Sequence, residues 1–264
     1  MLERHDVALV QADNPGPFTL TGTNTWIVGR DPCWIVDPGP LLAEHVENVL
    51  AEAARRGGAA GIALTHDHGD HAGAAAAVRD RMGGGVPVGA ARWDGADVTL
   101  RDGDRFGPFE VVATPGHATD HVAFVAGALC FTGDAVLAQS SVFVAPDPGA
   151  LHGYLAALQR LRALDLELLC TGHGPPVTDP AALLDRYLAH RAERERRLVA
   201  ALSDGLRTVD ELLALVWDDA PASLRLAATA TLAAHLDKLD EEGRLPEGVQ
   251  RPRWPPEGGL RPVV

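Results

Sequence analysis

Cysteine is scarce: the 264 residues hold three, and Cys33, Cys130 and Cys170 each sit inside an apolar, strand-like run. Thiols in such runs behave as small hydrophobes, and an odd count leaves at least one unpaired, so no disulfide framework is indicated. Long apolar stretches are missing too. No run approaches the ~20 residues that a membrane-spanning helix needs. The start, Met1-Leu2-Glu3-Arg4-His5-Asp6, has acid early and no apolar core, which predicts no secretory signal and a cytoplasmic protein. Positive charge is in deficit, with 23 Lys and Arg against 36 Asp and Glu and a net charge of −13; a duplex reader needs the opposite balance. Aromatic residues make up 5%. Trp26 and Trp34 fall in strand-like runs, Trp93 in a loop, and Trp217 and Trp254 near the C-terminus, so no platform for stacking bases is visible.

What is present is a turn crowded with ligands. Residues 65 to 71 read Thr-His-Asp-His-Gly-Asp-His, directly after the apolar run Gly61-Ile62-Ala63-Leu64, which is how a strand delivers side chains to the end of a sheet. In an extended backbone His66 and His68 point the same way, while Asp70 and His71 turn toward a second point nearby. Neutral imidazole with carboxylate suits zinc best and tolerates iron and manganese, and the two directions predict two ions. Three further apolar runs end in glycine and a potential ligand: Val111 to Gly116 leads to His117, Ala128 to Gly133 to Asp134, and Leu168 to Gly172 to His173. A fifth run, Cys33-Trp34-Ile35-Val36, ends in Asp37-Pro38-Gly39.

Helical and strand-like stretches alternate, and 46% hydrophobic residues suffice for a sizeable core. The spacing predicts helices over Ala43 to Arg56 and over Ala72 to Met82, the latter ending at Gly83-Gly84-Gly85. Leu151, Leu155, Leu158 and Leu161 form a stripe expected to lie on a sheet. Pro146-Asp147-Pro148-Gly149 reads as a loop near the site entrance. From about Pro180 the texture changes to a charged helix over Arg186 to Arg197. A helix capped by Thr208 and one capped by Ser223, running from Leu224 to Glu242, follow, then a short ribbon from Gly243 to about Trp254.

The chain resembles the metallo-β-lactamase superfamily over roughly residues 10 to 180. That resemblance implies an α/β fold with two sheets sandwiched between helices (αββα). It implies His66, His68 and His117 on one metal, Asp70, His71 and His173 on the other, and Asp134 bridging; two Zn2+ are expected, with Mn2+ or Fe as alternatives. Asp37 would hold a ligand imidazole in its tautomer. The order helix, helix, helix, ribbon resembles the branch with a C-terminal winged helix, which includes endoribonucleases, as do Gly22-Thr23-Asn24-Thr25-Trp26 and Thr114 to His121. The expected domains are 1–180, catalytic, and 181–264, a connector helix and a winged-helix-like unit.

The implied chemistry is hydrolysis by hydroxide bound between two metals about 3.5 to 4 Å apart, with Asp70 and Asp134 orienting the attacking water. The winged-helix resemblance places cleavage of single-stranded RNA first, with hydrolysis of a thioester, lactone or other acyl group in a small molecule as the alternative; a metal-stabilised DNA-binding regulator comes third. Leu224 to Glu242 carries Arg225 and Lys238 against Asp237, Asp240, Glu241 and Glu242, which predicts no strong duplex binding. Leu212, Leu213, Leu215, Val216, Leu232, Leu236 and Leu239 are expected to form its core. Asp120-His121 reads as a satisfied turn pair, and His5, His45, His190 and His235 read as surface residues. The sequence leaves open whether His152 and Tyr154 face the cleft, where Tyr154 would donate to a substrate oxygen. It leaves the oligomeric state open as well.

Overall fold

The computed structural model describes residues 2–139 and 141–253. One sheet runs in the order β1 (Val7–Gln11), β2 (Asn24–Val28), β3 (Cys33–Val36), β4 (Ala59–Ala63), β5 (Val88–Ala90) and β6 (Val98–Thr99). Its first two pairings are antiparallel and its last three parallel. The second sheet contains β7 (Arg105–Phe106), β8 (Phe109–Ala113), β9 (Val122–Ala126), β10 (Leu129–Gly133) and β11 (Leu168–Thr171), adjacent in that order. Only β10 and β11 pair in parallel. The helices are α1 (Ala43–Arg55), α2 (Gly69–Ala72), α3 (Ala75–Arg81), α4 (Ala150–Ala163), α5 (Pro180–Ser203), α6 (Val209–Val216) and α7 (Arg225–Glu241).

Side-chain alternation along the strands builds the layers. Trp26, Val36, Val111 and Phe131 point between the sheets and share one core with Phe109 and Phe124. Their neighbours Ile27 and Ile35 face the other way, onto Val46 and Val49 of α1 and Val78 of α3. On the second sheet Val112 and Cys130 face Leu151, Leu158 and Leu161 of α4, as the leucine stripe predicts, with Leu155 partly buried beside them. The result is helix, sheet, sheet, helix.

The long helix α5 serves two cores. Leu183, Leu184 and Tyr187 pack with α4 and the second sheet, whereas Leu198, Ala201 and Leu202 pack with Leu212, Val216, Leu232, Leu236 and Leu239. Leu215 points away and is exposed, because it lies off the face of α6 that carries Leu212, Leu213 and Val216.

Three boundaries differ from the periodicity. The helix expected over Ala72 to Met82 is split, because the amide of Ala74 donates to Gly39 O at 2.9 Å and leaves the helical ladder. Thr208 caps α6 in a reciprocal box with Glu211, but α7 follows a short 3-10 turn at Ala222–Leu224 and has no side-chain cap from Ser223. In the expected ribbon, no strand is found among the described residues; Leu245 and Val249 lean on the terminal core, and Gln250 N donates to Arg207 O at 2.8 Å. Trp254 lies outside the described residues.

Candidate metal centre

The strand ends meet at one edge of the sandwich. β4 delivers His66 and His68, the short α2 behind it Asp70 and His71, β8 His117, β10 Asp134 and β11 His173. Ligand atoms of His66, His68 and His117 lie within 4.8 Å of one another, as do those of Asp70, His71 and His173. Asp134 reaches into both groups: Oδ2 is 3.5 Å from His117 Nε2, and Oδ1 is 3.5 Å from His71 Nε2 and 3.4 Å from His173 Nε2. All seven predicted ligand side chains therefore converge on one small volume.

The far side of each ring decides which nitrogen faces inward. His71 Nδ1 donates to Asp37 Oδ2 at 2.9 Å, and His173 Nδ1 lies 3.3 Å from Gly22 O, which can only accept. The hydroxyl of Thr65 donates to Asp37 Oδ2 at 2.7 Å, so its oxygen receives His66 Nδ1, 3.0 Å away. Asp37 thus orients His71 directly and His66 through Thr65. It does so from a left-handed backbone, φ 51°, a conformation that aspartate tolerates better than most residues and that turns its carboxylate under the sheet.

With the outer nitrogens of His66, His71 and His173 committed, the inner ligand atoms face one another. His66 Nε2 and His117 Nε2 lie 2.9 and 3.1 Å from His68 Nδ1, and His71 Nε2 lies 3.3 Å from His173 Nε2. Asp134 Oδ1 is buried without a hydrogen-bond donor among the described residues. Buried acceptors aimed at common points are costly unless a cation gathers them, and imidazole with carboxylate is the donor set of divalent zinc, iron or manganese. These residues fit two such ions.

Electrostatics divide the two groups. Burial pulls His66 well below its ordinary pKa and His117 down to about 4. Burial also opposes charge on His71 and His173, but Asp70 and Asp134 outweigh it, raising His71 well above its usual range and His173 to about 9. Against its own burial, Asp70 is held at about 2 by His71 and His173. Cations entering this half would displace protons, as ligand sites generally require.

Glycine makes the approach possible. A Cβ on Gly172 would stand 2.4 Å from Asp134 Oδ1 and 2.7 Å from His71 Cε1. The glycine before His173 is thus a packing requirement of the centre itself.

The segment Gly22 to Trp26 is a set of braces. Thr23 Oγ1 lies 3.4 Å from Asp70 Oδ2, Asn24 Nδ2 holds the carbonyls of Thr171 and Gly174 on either side of His173, and Trp26 Nε1 donates to Thr171 O. Thr25 pairs with His45, which is buried rather than superficial, since Gly39 closes over its ring. His121 is satisfied, but not by Asp120: its ring contacts Thr114 Oγ1 at 2.7 Å and accepts from the amide of Asp134 at 3.1 Å. Sequence reasoning missed that role, although the His117-His121 spacing within one short turn was its signal. Asp120 accepts from Asp67 N and Arg92. His152 is turned out toward Glu241, and Tyr154 is buried, donating to Ala135 O, so neither faces the cleft. His235 is also buried, inside the terminal core. His5 and His190 are partly exposed.

Comparisons with known proteins agree with this geometry. The profile of the metallo-beta-lactamase superfamily matches residues 82–173 and that of the beta-lactamase associated winged helix domain residues 208–254. The chain is 32% identical over 260 residues to the beta-lactamase-like protein 2 homolog of Caenorhabditis elegans, covering 90% of this chain and 85% of the relative. It is 32% identical over 238 residues to the atrochrysone carboxyl ACP thioesterase of Aspergillus chevalieri, covering 81% and 74%. A metallo-beta-lactamase family protein from Thermus thermophilus superposes with a TM-score of 0.72 at 24% identity, covering 90% of this chain and 94% of that one. The chain belongs to the metallo-β-lactamase superfamily and is a hydrolase of that family, with the associated winged helix domain at its C-terminus.

Proposed function

We propose that this hydrolase cleaves an acyl bond of the thioester class, with two zinc ions held by His66, His68 and His117 and by Asp70, His71 and His173, Asp134 lying between them. The observation that carries the choice of substrate is the mouth of the cleft. Asp67, Asp120 and Asp147 line it beside Arg92, Ala118, Phe143 and Ala145. Arg92, the cation of that rim, is already paired with Asp120 at 3.2 Å. A nucleic-acid backbone would meet the remaining carboxylates of Asp67 and Asp147 there and gain little from counterion release, whereas a neutral acyl group meets Phe143 and alanine. The winged-helix resemblance taken alone orders these substrates the other way. The thioesterase among the relatives supports the acyl reading. In the terminal domain, Arg225 is tied to Asp210 and Lys238 to Glu195 and Glu242, which supports a packing role rather than duplex binding.

Divalent ions at such a centre supply Lewis acidity and make water a nucleophile near neutral pH. Around them, Asp70, partly open to the cleft, orients the attacking water, and Asp134 fixes its position from the buried side. Asp37 and Thr65 hold the His71 and His66 rings with Nε2 turned inward. Phe143 and His117, ring to ring at 4.7 Å, wall the acyl group from bulk water. A thiol of pKa about 8.5 leaves as thiolate without an acid to protonate it.

The test is a substrate panel on the zinc-loaded protein: thioesters and lactones against bis-p-nitrophenyl phosphate and a short RNA. Thioesters should have the highest kcat/KM. Faster turnover of the phosphodiesters would overturn the acyl reading while leaving the hydrolase assignment in place.

A further inference from the structure

Over residues 141–149, before α4, the chain crosses the cleft as a strap without regular secondary structure. Its side chains alternate in burial. Val142 and Val144 are buried in the core that includes Leu151, Tyr154 and Ala234, while Phe143 between them turns to the His117 ring. Position 143 is therefore aimed at the site by whatever fixes positions 142 and 144.

What fixes them comes from the helices after residue 180. Arg191 Nη2 on α5 donates to Val142 O and to Ser141 Oγ at 3.1 Å. Val144 N donates to Thr231 Oγ1 on α7 at 3.3 Å. Further along, Gly149 N donates to Glu241 Oε1 at 3.0 Å. On the site side, Ala145 N donates to Gly116 O at 2.8 Å, one residue before the ligand His117. The strap is thus pinned between the terminal helices and the metal centre. Arg191 is 2% exposed, lies over the Tyr154 ring, and spends its charge on neutral oxygens. Burying a guanidinium without a carboxylate is expensive; an apolar residue would fill the same space without that cost. Holding the carbonyl of Val142 is what the charge achieves.

We propose that the terminal helices set the acyl selectivity of the site: Arg191 and Thr231 position the strap so that Phe143 is the wall along which an apolar acyl chain lies. This rests on the acyl reading. Phe143 touches substrate and determines specificity, while Arg191 and Thr231 act through it as positioning residues.

The experiment uses the full-length zinc-loaded protein and straight-chain acyl thioesters from acetyl to decanoyl. Phe143→Ala should lower the long-to-short ratio of kcat/KM about tenfold, the scale of a lost apolar pocket contact. Thr231→Val, which keeps the shape and removes the hydroxyl, should lower the ratio in the same direction through KM for long chains, with kcat for acetyl unchanged. Thr231→Ser should restore it, and Arg191→Met should act like Thr231→Val. Hydrogen exchange supplies a readout independent of turnover: in Thr231→Val the amides of Val144 and Ala145 should exchange faster while those of the sheets do not change. An unchanged ratio in Phe143→Ala, or faster exchange in Thr231→Val without a change in the ratio, overturns the selectivity assignment. Where the parent turns over no thioester, the acyl reading and the selectivity built on it both fail, and positioning by Thr231 is judged by exchange alone; unaltered exchange then overturns that as well.

Discussion

Two parts of this molecule bury histidine and charge, and only one of them is a metal centre. At the sheet edge, His66, His71, His117, His121 and His173 are buried with Asp37 and Asp134. In the terminal helices, His235, Arg191, Arg194 and Lys238 are buried. The difference is convergence. At the edge, ring nitrogens and carboxylate oxygens from both sheets point at shared centres, and the outer nitrogens of His66, His71 and His173 are already occupied. In the helices the groups share no centre: Arg194 is answered by the carbonyl of Val216 and by Asp219, Lys238 by Glu195 and Glu242, and both nitrogens of His235 are buried without a hydrogen-bond partner among the described residues. Burial of polar groups alone therefore does not mark a site.

The sharpest way to break the comparison is to remove the one side chain that joins both ligand groups. Asp134→Ala should abolish turnover and lower the zinc content from two per chain toward one, an effect larger than the roughly 10- to 100-fold that follows loss of an outer partner. Metal analysis after gel filtration, alongside kinetics, reads both. Retention of two zinc ions with a modest loss of rate would show that Asp134 does not hold the pair together.

A smaller effect is expected one layer out. Asp37 touches the centre only through His71 and Thr65, so Asp37→Ala should leave the fold intact and weaken zinc binding by roughly 10- to 100-fold. Because Thr65 relays its influence to His66, both ligand groups should weaken, which a competition titration with a chromogenic chelator resolves as two shifted steps. A shift in one step alone would break the relay through Thr65, and no shift at all would reduce Asp37 to a turn residue.

Much of the centre was legible because its information is local. Each ligand follows an apolar run and a tight turn, and such runs become strands whose ends a sheet gathers at one edge. What could not be read lies in contacts between distant segments. Nothing near Ala74 in sequence announces that Gly39 O will take its amide and split the helix. His45 and His235 look superficial because histidine usually is; their burial depends on Gly39 and on Trp217, which lies 5.9 Å from the His235 ring. Leu215 follows the apolar pattern of α6 but falls outside the face that α7 and α5 cover. The bracing role of Gly22 to Trp26 appears only when β2 meets the loop after β11.

The mildest expected effect tests the other side of the comparison, the histidine that no ligand explains. Burial first, then the nearby charges of Arg191, Lys238, His190 and Arg194, hold His235 at about 3, against about 6.5 for an unfolded chain. Between those values the unfolded state binds the proton and the folded state does not. Stability from this group is therefore complete above about pH 6.5 and is lost as pH falls toward about 3, at no more than about 1.4 kcal/mol per pH unit. His235→Leu removes that proton linkage together with two unanswered polar atoms. At neutral pH the variant should be more stable by about 1 to 3 kcal/mol, the usual cost of an unmet buried polar group, with turnover unchanged because His235 touches none of the ligands. On acidification its advantage over the parent should widen. Urea unfolding of both zinc-loaded proteins at matched pH values measures the difference and cancels the titration of the metal centre that they share. A constant gap across pH would mean that His235 is hydrated and titrates freely in the fold, and a less stable variant would mean that the imidazole is packed for shape and its polar atoms cost nothing.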